Sequence, residues 1–242
     1  MVGNPKAGCY TLAELAHIET SSRDRDLGQK KGMKTPDWLP TIMQFFLSLT
    51  VPIILIVSPL YLFFTPALLR YEYSRGGVPP SSRFDRQERL RLSDAIIGCL
   101  RGKEGVEALQ RLRTDQGERA LRDAEIQHLA DVKGVLDGLF LAHGAALVVG
   151  LVMAGLLLWW THPMTLMGAL KRGVWFTVGI MALVLMSSFV DFDVFFTRFH
   201  QVFFSPGTWV FYVQDTLIQL YPLAFWIDVV WKLGILILVE AG

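Results

Sequence analysis

Two histidines sit among residues that could support proton transfer. His200 lies in the run FVDFDVFFTRFHQVFF, which starts at Phe189 and packs seven phenylalanines around two aspartates, an arginine and the histidine. If the run is helical, Phe192, Phe195, Phe196, Phe199 and Phe203 share one face, and Asp193, Thr197 and His200 share another. That pattern fits an interfacial amphipathic helix with its aromatic residues at headgroup level. It does not by itself account for a histidine so closely flanked by bulky aromatics. His128 lies in DAEIQHLADVK, where Glu125, His128 and Asp131 follow at helical spacings of three. A carboxylate beside an imidazole fixes its tautomer and raises its basicity, a common way to build a general base. A solvated helix face carrying a stray histidine would look the same.

The remaining histidines carry less chemistry. His17 lies in a polar tail, His162 precedes Pro163, and His143 falls inside an uncharged run where an ionisable group is costly. Asp228 and Lys232, four residues apart in an apolar segment, can pair on one helix face, either as a structural ion pair or as part of a polar cavity. There is no HExxH, no GxSxG and no glycine-rich phosphate loop, so histidines and carboxylates are the chemical inventory.

The elements that position these residues follow from hydropathy. No charged residue occurs between Asp37 and Arg70, or between Asp137 and Lys171, and each run exceeds the ~20 apolar residues that cross a bilayer core. Gly173–Val190 is just long enough, and a fourth run, 221–239, is interrupted by Asp228 and Lys232. Lipid requires backbone polar groups to be satisfied within each segment, so the spans are helical. The expected fold is all-α: a polytopic membrane protein with four transmembrane helices, at about 41–65, 139–161, 173–190 and 221–239. Residues 1–38 read as a polar tail without fixed structure. Lys30, Lys31 and Lys34 precede the first span, and Lys171-Arg172 fall in the expected link between spans two and three. The positive-inside rule puts both groups, and hence both termini, in the cytoplasm. Segments 70–137 and 191–220 then face outward, the longer one translocated largely regardless of its arginines.

Within 70–137 the expected elements are helical. Ser93 or Asp94 caps a helix through Leu100 that Gly102 stops, Glu104–Leu112 forms another, and Asp123 caps a third leading to span two, with Gly134 and Gly138 as kink points. Pro79-Pro80 marks a turn. The formal net charge of +1 gives no reason to expect nucleic acid as a partner, and two cysteines, Cys9 and Cys99, suggest neither a disulfide framework nor a metal cluster. Ala7-Gly8 before Cys9 lacks an apolar run ahead of it, so a cleaved signal is not expected.

The stretches EIQHLADVK and VDFDVFFTRFHQVFF, followed by TW, QDTLIQLYP and FW, resemble the four-span bacterial membrane family of the lipoprotein intramolecular transacylase, across residues 40–240. The resemblance implies transfer of one acyl chain from the glycerol sn-2 ester of a diacylglyceryl-cysteine to that cysteine's own α-amino group, giving a lyso-form lipoprotein. His128 and His200 match the family's two motif histidines. On this reading they act as base and as acid or oxyanion donor, in unassigned order. Glu125, Asp131, Asp191 and Asp193 support or orient them, and Phe195, Phe196, Phe199, Phe203 and Trp209 receive acyl chain. The implied partners are diacylglyceryl lipoproteins and membrane lipids, with the site at the outer leaflet. No cofactor and no metal is expected. Two rivals stand beside it: a non-enzymatic membrane module that binds a lipid or protein through its outer segment, and a metal-dependent membrane hydrolase using the two histidines.

Overall fold

A computed structural model describes residues 36–242. The expectation for the tail falls almost wholly on residues outside this range. The described residues form ten helices: α1 Trp38–Val57, α2 Leu60–Phe63, α3 Pro66–Ser74, α4 Arg86–Leu100, α5 Glu107–Arg111, α6 Asp123–Trp160, α7 Pro163–Val190, α8 Phe192–Phe203, α9 Thr216–Leu220 and α10 Leu223–Ala241. Their only extended pairing is an isolated antiparallel bridge between Arg113 and Arg119.

Among the described residues, three stretches are long and apolar enough to cross a membrane: Trp38–Phe63, Asp123–Trp160 and Pro163–Val190. The fourth expected span falls on the helix α10, whose 19 residues include three charged groups, Asp228, Lys232 and Glu240, and which is not among these three stretches. Two boundaries differ from the sequence reading. Span two is not a separate helix, because α6 runs unbroken for 38 residues through Gly134 and Gly138, which do not end it. At about 1.5 Å per residue it is about 57 Å long, far beyond a ~30 Å hydrocarbon core. Its apolar part begins near Leu139, and the charged stretch carrying Asp123, Glu125, Asp131, Lys133 and Asp137 stands clear of it. Span three begins at Pro163 rather than 173. Proline lacks an N–H that the first turn would not use, and the His162 side chain accepts from Met164 N at 3.3 Å. Lys171 and Arg172 are therefore inside α7, not in a link, and Arg172 reaches Gln44 Oε1 at 2.8 Å.

α1 packs between α6 and α7, and α10 packs on α7. A Cβ on Gly173 would lie 2.9 Å from the Ser48 carbonyl oxygen, so α1 and α7 approach closely only because position 173 is glycine. Ser48 also donates across to the Ala169 carbonyl at 2.9 Å. His143 is buried between α6 and the end of α1, with Ser58 Oγ 3.1 Å from Nε2 and Tyr61 OH 3.4 Å from Nδ1.

A second core forms a cap beside the bundle. Leu92, Ile96 and Leu100 of α4, Leu109 of α5, Leu129 of α6 and Leu217 and Leu220 of α9 bury together. α4 starts earlier than expected, capped by Asp85 accepting from Glu88 N at 2.8 Å. Its Ser93 is instead an interior residue beside the Tyr73 hydroxyl (3.1 Å). α5 starts at Glu107 rather than Glu104. The cap is tied to the chain after α8 by Tyr73, which donates to the Leu220 carbonyl at 2.8 Å, and by Arg89, which donates to the same carbonyl at 3.4 Å. The Pro79-Pro80 segment is non-helical, as the dipeptide dictates.

Candidate active site

α6 and α8 bring His128 and His200 together although 72 residues separate them in the sequence. The rings stack with centroids 6.1 Å apart at 24°. His128 lies on the charged extension of α6, and its ring meets Phe204 at 5.0 Å and Phe211 at 5.4 Å, both edge-on. His200 lies near the end of α8, which Asp191 starts by accepting from Val194 N at 3.0 Å. Its ring meets Phe196 at 4.0 Å, Trp209 at 4.9 Å and Phe199 at 5.6 Å. Both histidines are more than nine-tenths buried.

The hydrogen bonding of the two rings differs. His200 Nδ1 lies 2.8 Å from the Phe196 carbonyl, and a carbonyl only accepts, so Nδ1 carries the proton and Nε2 bears a lone pair. His128 Nδ1 is buried without a partner, as is Trp209 Nε1. Neither Nε2 has a hydrogen-bond partner among the described residues, which leaves both free for a ligand. Burial disfavours the charged imidazolium, so His128 is lowered to about 4, with the nearby His200 lowering it further and Asp131 opposing. His200 is also lowered by burial, offset in part by its bond to the Phe196 carbonyl. Both rings are therefore neutral near pH 7.

The carboxylates expected to orient the histidines lie elsewhere. Asp131 accepts from Gln127 Nε2 at 3.0 Å and forms no hydrogen bond to His128. Asp193 is exposed in the first turn of α8, and Asp191 serves as that helix's cap. Glu125 is buried and acts as a clamp: Oε2 accepts from Arg122 N and Oε1 from Leu217 N, each at 2.8 Å, joining the start of α6 to α9. Its pKa is raised by burial against these two bonds. The phenylalanines also divide. Phe196 and Phe199 touch His200, whereas Phe195 packs on Phe192 and Phe199, and Phe203 packs on Phe199 and Phe204.

Sequence reasoning missed Phe204, Phe211 and the groups that hold the 205–214 loop. Phe204 was legible, four residues from His200 and so on the same side of a helix that ends there. Phe211 carried no local signal. Asp215 positions its loop by accepting from Tyr212 N at 2.8 Å and pairing with Arg122. Gln219 donates to the Val213 carbonyl at 2.7 Å, and Thr216 bonds to the Ala120 carbonyl. At its turn, Gly207 takes φ +84°, which a side chain would disfavour. Asp228 and Lys232 do pair, at 2.6 Å, but far from alone: Lys232 also donates to both oxygens of the fully buried Glu72, at 2.6 and 2.7 Å.

The family described as lipoprotein intramolecular transacylase Lit matches residues 42–226, a span that contains both histidines and the loop between α8 and α9. The chain belongs to the lipoprotein intramolecular transacylase family. It is thus a membrane acyltransferase of lipoprotein modification. A curated relative, an uncharacterized protein of Aquifex aeolicus (strain VF5), is 28% identical over 169 residues, covering 68% of this chain and 74% of the relative. In fold, the chain is similar to the membrane-integral lipoprotein intramolecular transacylase Lit of Bacillus cereus, with TM-score 0.72, 17% identity, and coverage of 85% of this chain and 92% of that one. A structure of the same Bacillus cereus protein with a histidine replaced by arginine gives TM-score 0.66 at 15% identity, covering 94% and 92%. The three apolar helices and these membrane-integral relatives make the chain a multi-pass membrane protein.

Proposed function

We propose that the chain moves the sn-2 acyl group of a diacylglyceryl-cysteine to the α-amino group of the same cysteine, with His200 as base and His128 as hydrogen-bond donor. The observation that carries this reading is the pair of buried, neutral imidazoles with free Nε2 atoms, set in an aromatic enclosure. α10 is the fourth span, both termini are cytoplasmic, and the cap with the histidine pair stands at the outer leaflet, where processed lipoproteins present their modified cysteine. The lysines before α1 and Lys171-Arg172 in α7 support that orientation.

Amine and ester belong to one substrate, so holding them in register supplies much of the acceleration. As the amine nitrogen attacks the ester carbonyl, the N–C bond forms and the amine proton passes to His200 Nε2, whose lone pair is fixed by the Phe196 contact. His128, with its proton on Nε2, donates to the developing oxyanion as a neutral group, which its low pKa permits. Collapse breaks the C–O bond, and the imidazolium of His200 returns its proton to the glycerol oxygen. Charge then balances at every step, and the product is an N-acyl, lyso-glyceryl cysteine. Phe196, Phe199 and Phe204 exclude water that would otherwise hydrolyse the ester, and Trp209 and Phe211 close the other side.

The test is the amino-terminal lipopeptide of a reporter lipoprotein, made in a host lacking its own N-acylation enzyme. Substrate and product have equal mass, so fragmentation must locate the acyl group. N-acyl fragments with the intact protein, absent with His200→Ala and with His128→Ala, are the expected result. A free-amine diacyl peptide despite full expression of the intact protein would overturn the reading.

A further inference from the structure

A cavity of about 400 Å³ lies away from the histidine pair, lined by Arg75, Gly77, Ala224, Ile227, Asp228 and Trp231. Its volume falls within the ~300–1,000 Å³ range of small-molecule sites. Its walls combine one cation, one anion and an apolar floor. Arg75 spends Nη1 on the Tyr71 hydroxyl at 2.6 Å and has no other partner among the described residues. Asp228 gives Oδ2 to Lys232 and leaves Oδ1 free, with the carboxylate side chain 45% exposed. Ile227 and Trp231 sit one helical turn apart on α10, and Trp231 is held edge-on by Phe189 at 6.2 Å.

We propose that this cavity binds the headgroup of a phospholipid carrying a phosphate and a primary ammonium, a phosphoethanolamine lipid. The inference rests on the topology above, which places the Leu223 end of α10 at the outer surface of the bilayer. The open guanidinium edge of Arg75 takes the phosphate. The free Oδ1 of Asp228 takes an ammonium N–H, and Ile227 and Trp231 face the upper acyl chain. Charge selects this class: the lining holds one cation, Arg75, and one anion, Asp228, so its charges balance. A net-neutral headgroup whose dipole opposes the Arg75–Asp228 pair fits it. An anionic headgroup would meet Asp228 with no cation of its own, and a trimethylammonium headgroup has no N–H to offer Oδ1.

The experiment is native mass spectrometry of the full chain in detergent with equal amounts of phosphatidylethanolamine, phosphatidylcholine and phosphatidylglycerol. Retention of phosphatidylethanolamine about ten-fold over the other two is expected, the ratio set by roughly one charge-assisted hydrogen bond. Arg75→Gln should remove the preference, and Ala224→Trp should do so by filling the cavity without touching the ion pairs. Equal retention of the three lipids, or a preference that survives both variants in folded protein, overturns the proposal. Displacement of the phospholipid by excess diacylglyceryl lipopeptide, with both variants raising KM for it, also overturns it and gives the cavity to the substrate. Lipopeptide conversion by the intact protein is scored separately, so failure of the transacylation reading is recognised independently of the lipid result.

Discussion

Two of the polar clusters among the described residues treat their hydrogen-bonding groups in opposite ways. Around Lys232, the donors are spent: the ammonium is shared by both oxygens of Glu72 and by Asp228. Around His128 and His200, valences are left open, with both Nε2 atoms, His128 Nδ1 and Trp209 Nε1 lacking protein partners. An ammonium with all its donors spent fixes one helix on another, whereas the buried, unpaired His128 Nδ1 and Trp209 Nε1 are retained at a cost of ~1–3 kcal/mol each. That cost is intelligible where a substrate supplies the missing partners. On the proposed function, the contrast separates a buried polar group that holds α10 to α3 from one that is held ready for chemistry.

The largest expected effect comes from removing the proposed base. His200→Ala should lower kcat/KM for N-acylation by about 10³-fold or more, and His128→Ala by about 10²–10³-fold, with each variant still folded. Fragmentation of the lipopeptide after timed reaction measures both. Retention of activity within a few fold in the His200 variant would sink its role as base.

Stability should respond in the reverse order. Lys232→Met leaves Glu72 buried without its cation and should cost about 3–5 kcal/mol, while the Glu72→Gln, Lys232→Met double variant recovers much of that. Thermal unfolding in detergent, alongside activity of the folded fraction, reads this. A single variant as stable as the parent would show that the cluster does not lock α10. Glu125→Ala should be comparably damaging, because two backbone N–H groups lose their acceptor where α6 meets α9.

The pH dependence sharpens the comparison further. Burial lowers His128 to about 4 and also lowers His200 from its ordinary value. With both imidazoles favoured in the neutral form, the rate should rise through the ~7.7–8.0 range of the substrate's own α-amine. For stability, a depressed histidine pKa means that the folded state binds fewer protons than the unfolded state between about 4 and 6.5. Stability is undiminished by this group above 6.5 and falls as the pH drops through that window. His128→Phe should flatten this part of the profile in thermal unfolding between pH 4 and 7. The smallest effect is expected at Phe203, which touches neither ring: Phe203→Ala should change kcat/KM by no more than about two- to three-fold. Phe204→Ala, which uncovers both histidines, should lower it by about ten-fold or more.

The sequence by itself determined that this is a helical membrane protein and which histidines to watch. Uncharged runs of this length have few other uses, and imidazoles within aromatic and acidic helical repeats are conspicuous. It also showed that Asp228 and Lys232 can meet, since a spacing of four puts them on one helix face. Element boundaries were less legible. Lys171 and Arg172 looked like a link because charge is expensive in lipid, yet long side chains extend from inside α7, and Pro163 rather than charge sets its start. Only the tertiary structure decided what surrounds each histidine. Glu125 and Asp131 share a face with His128 at helical spacing, but Glu125 is captured by Leu217 N, 92 residues away, and Asp131 by Gln127. Glu72 joined Lys232 in the same way, across 160 residues. Local periodicity fixes the direction in which a side chain leaves its helix. The partner that meets it is chosen by how distant helices pack, and here that packing left the histidines facing phenylalanines, a backbone carbonyl and each other.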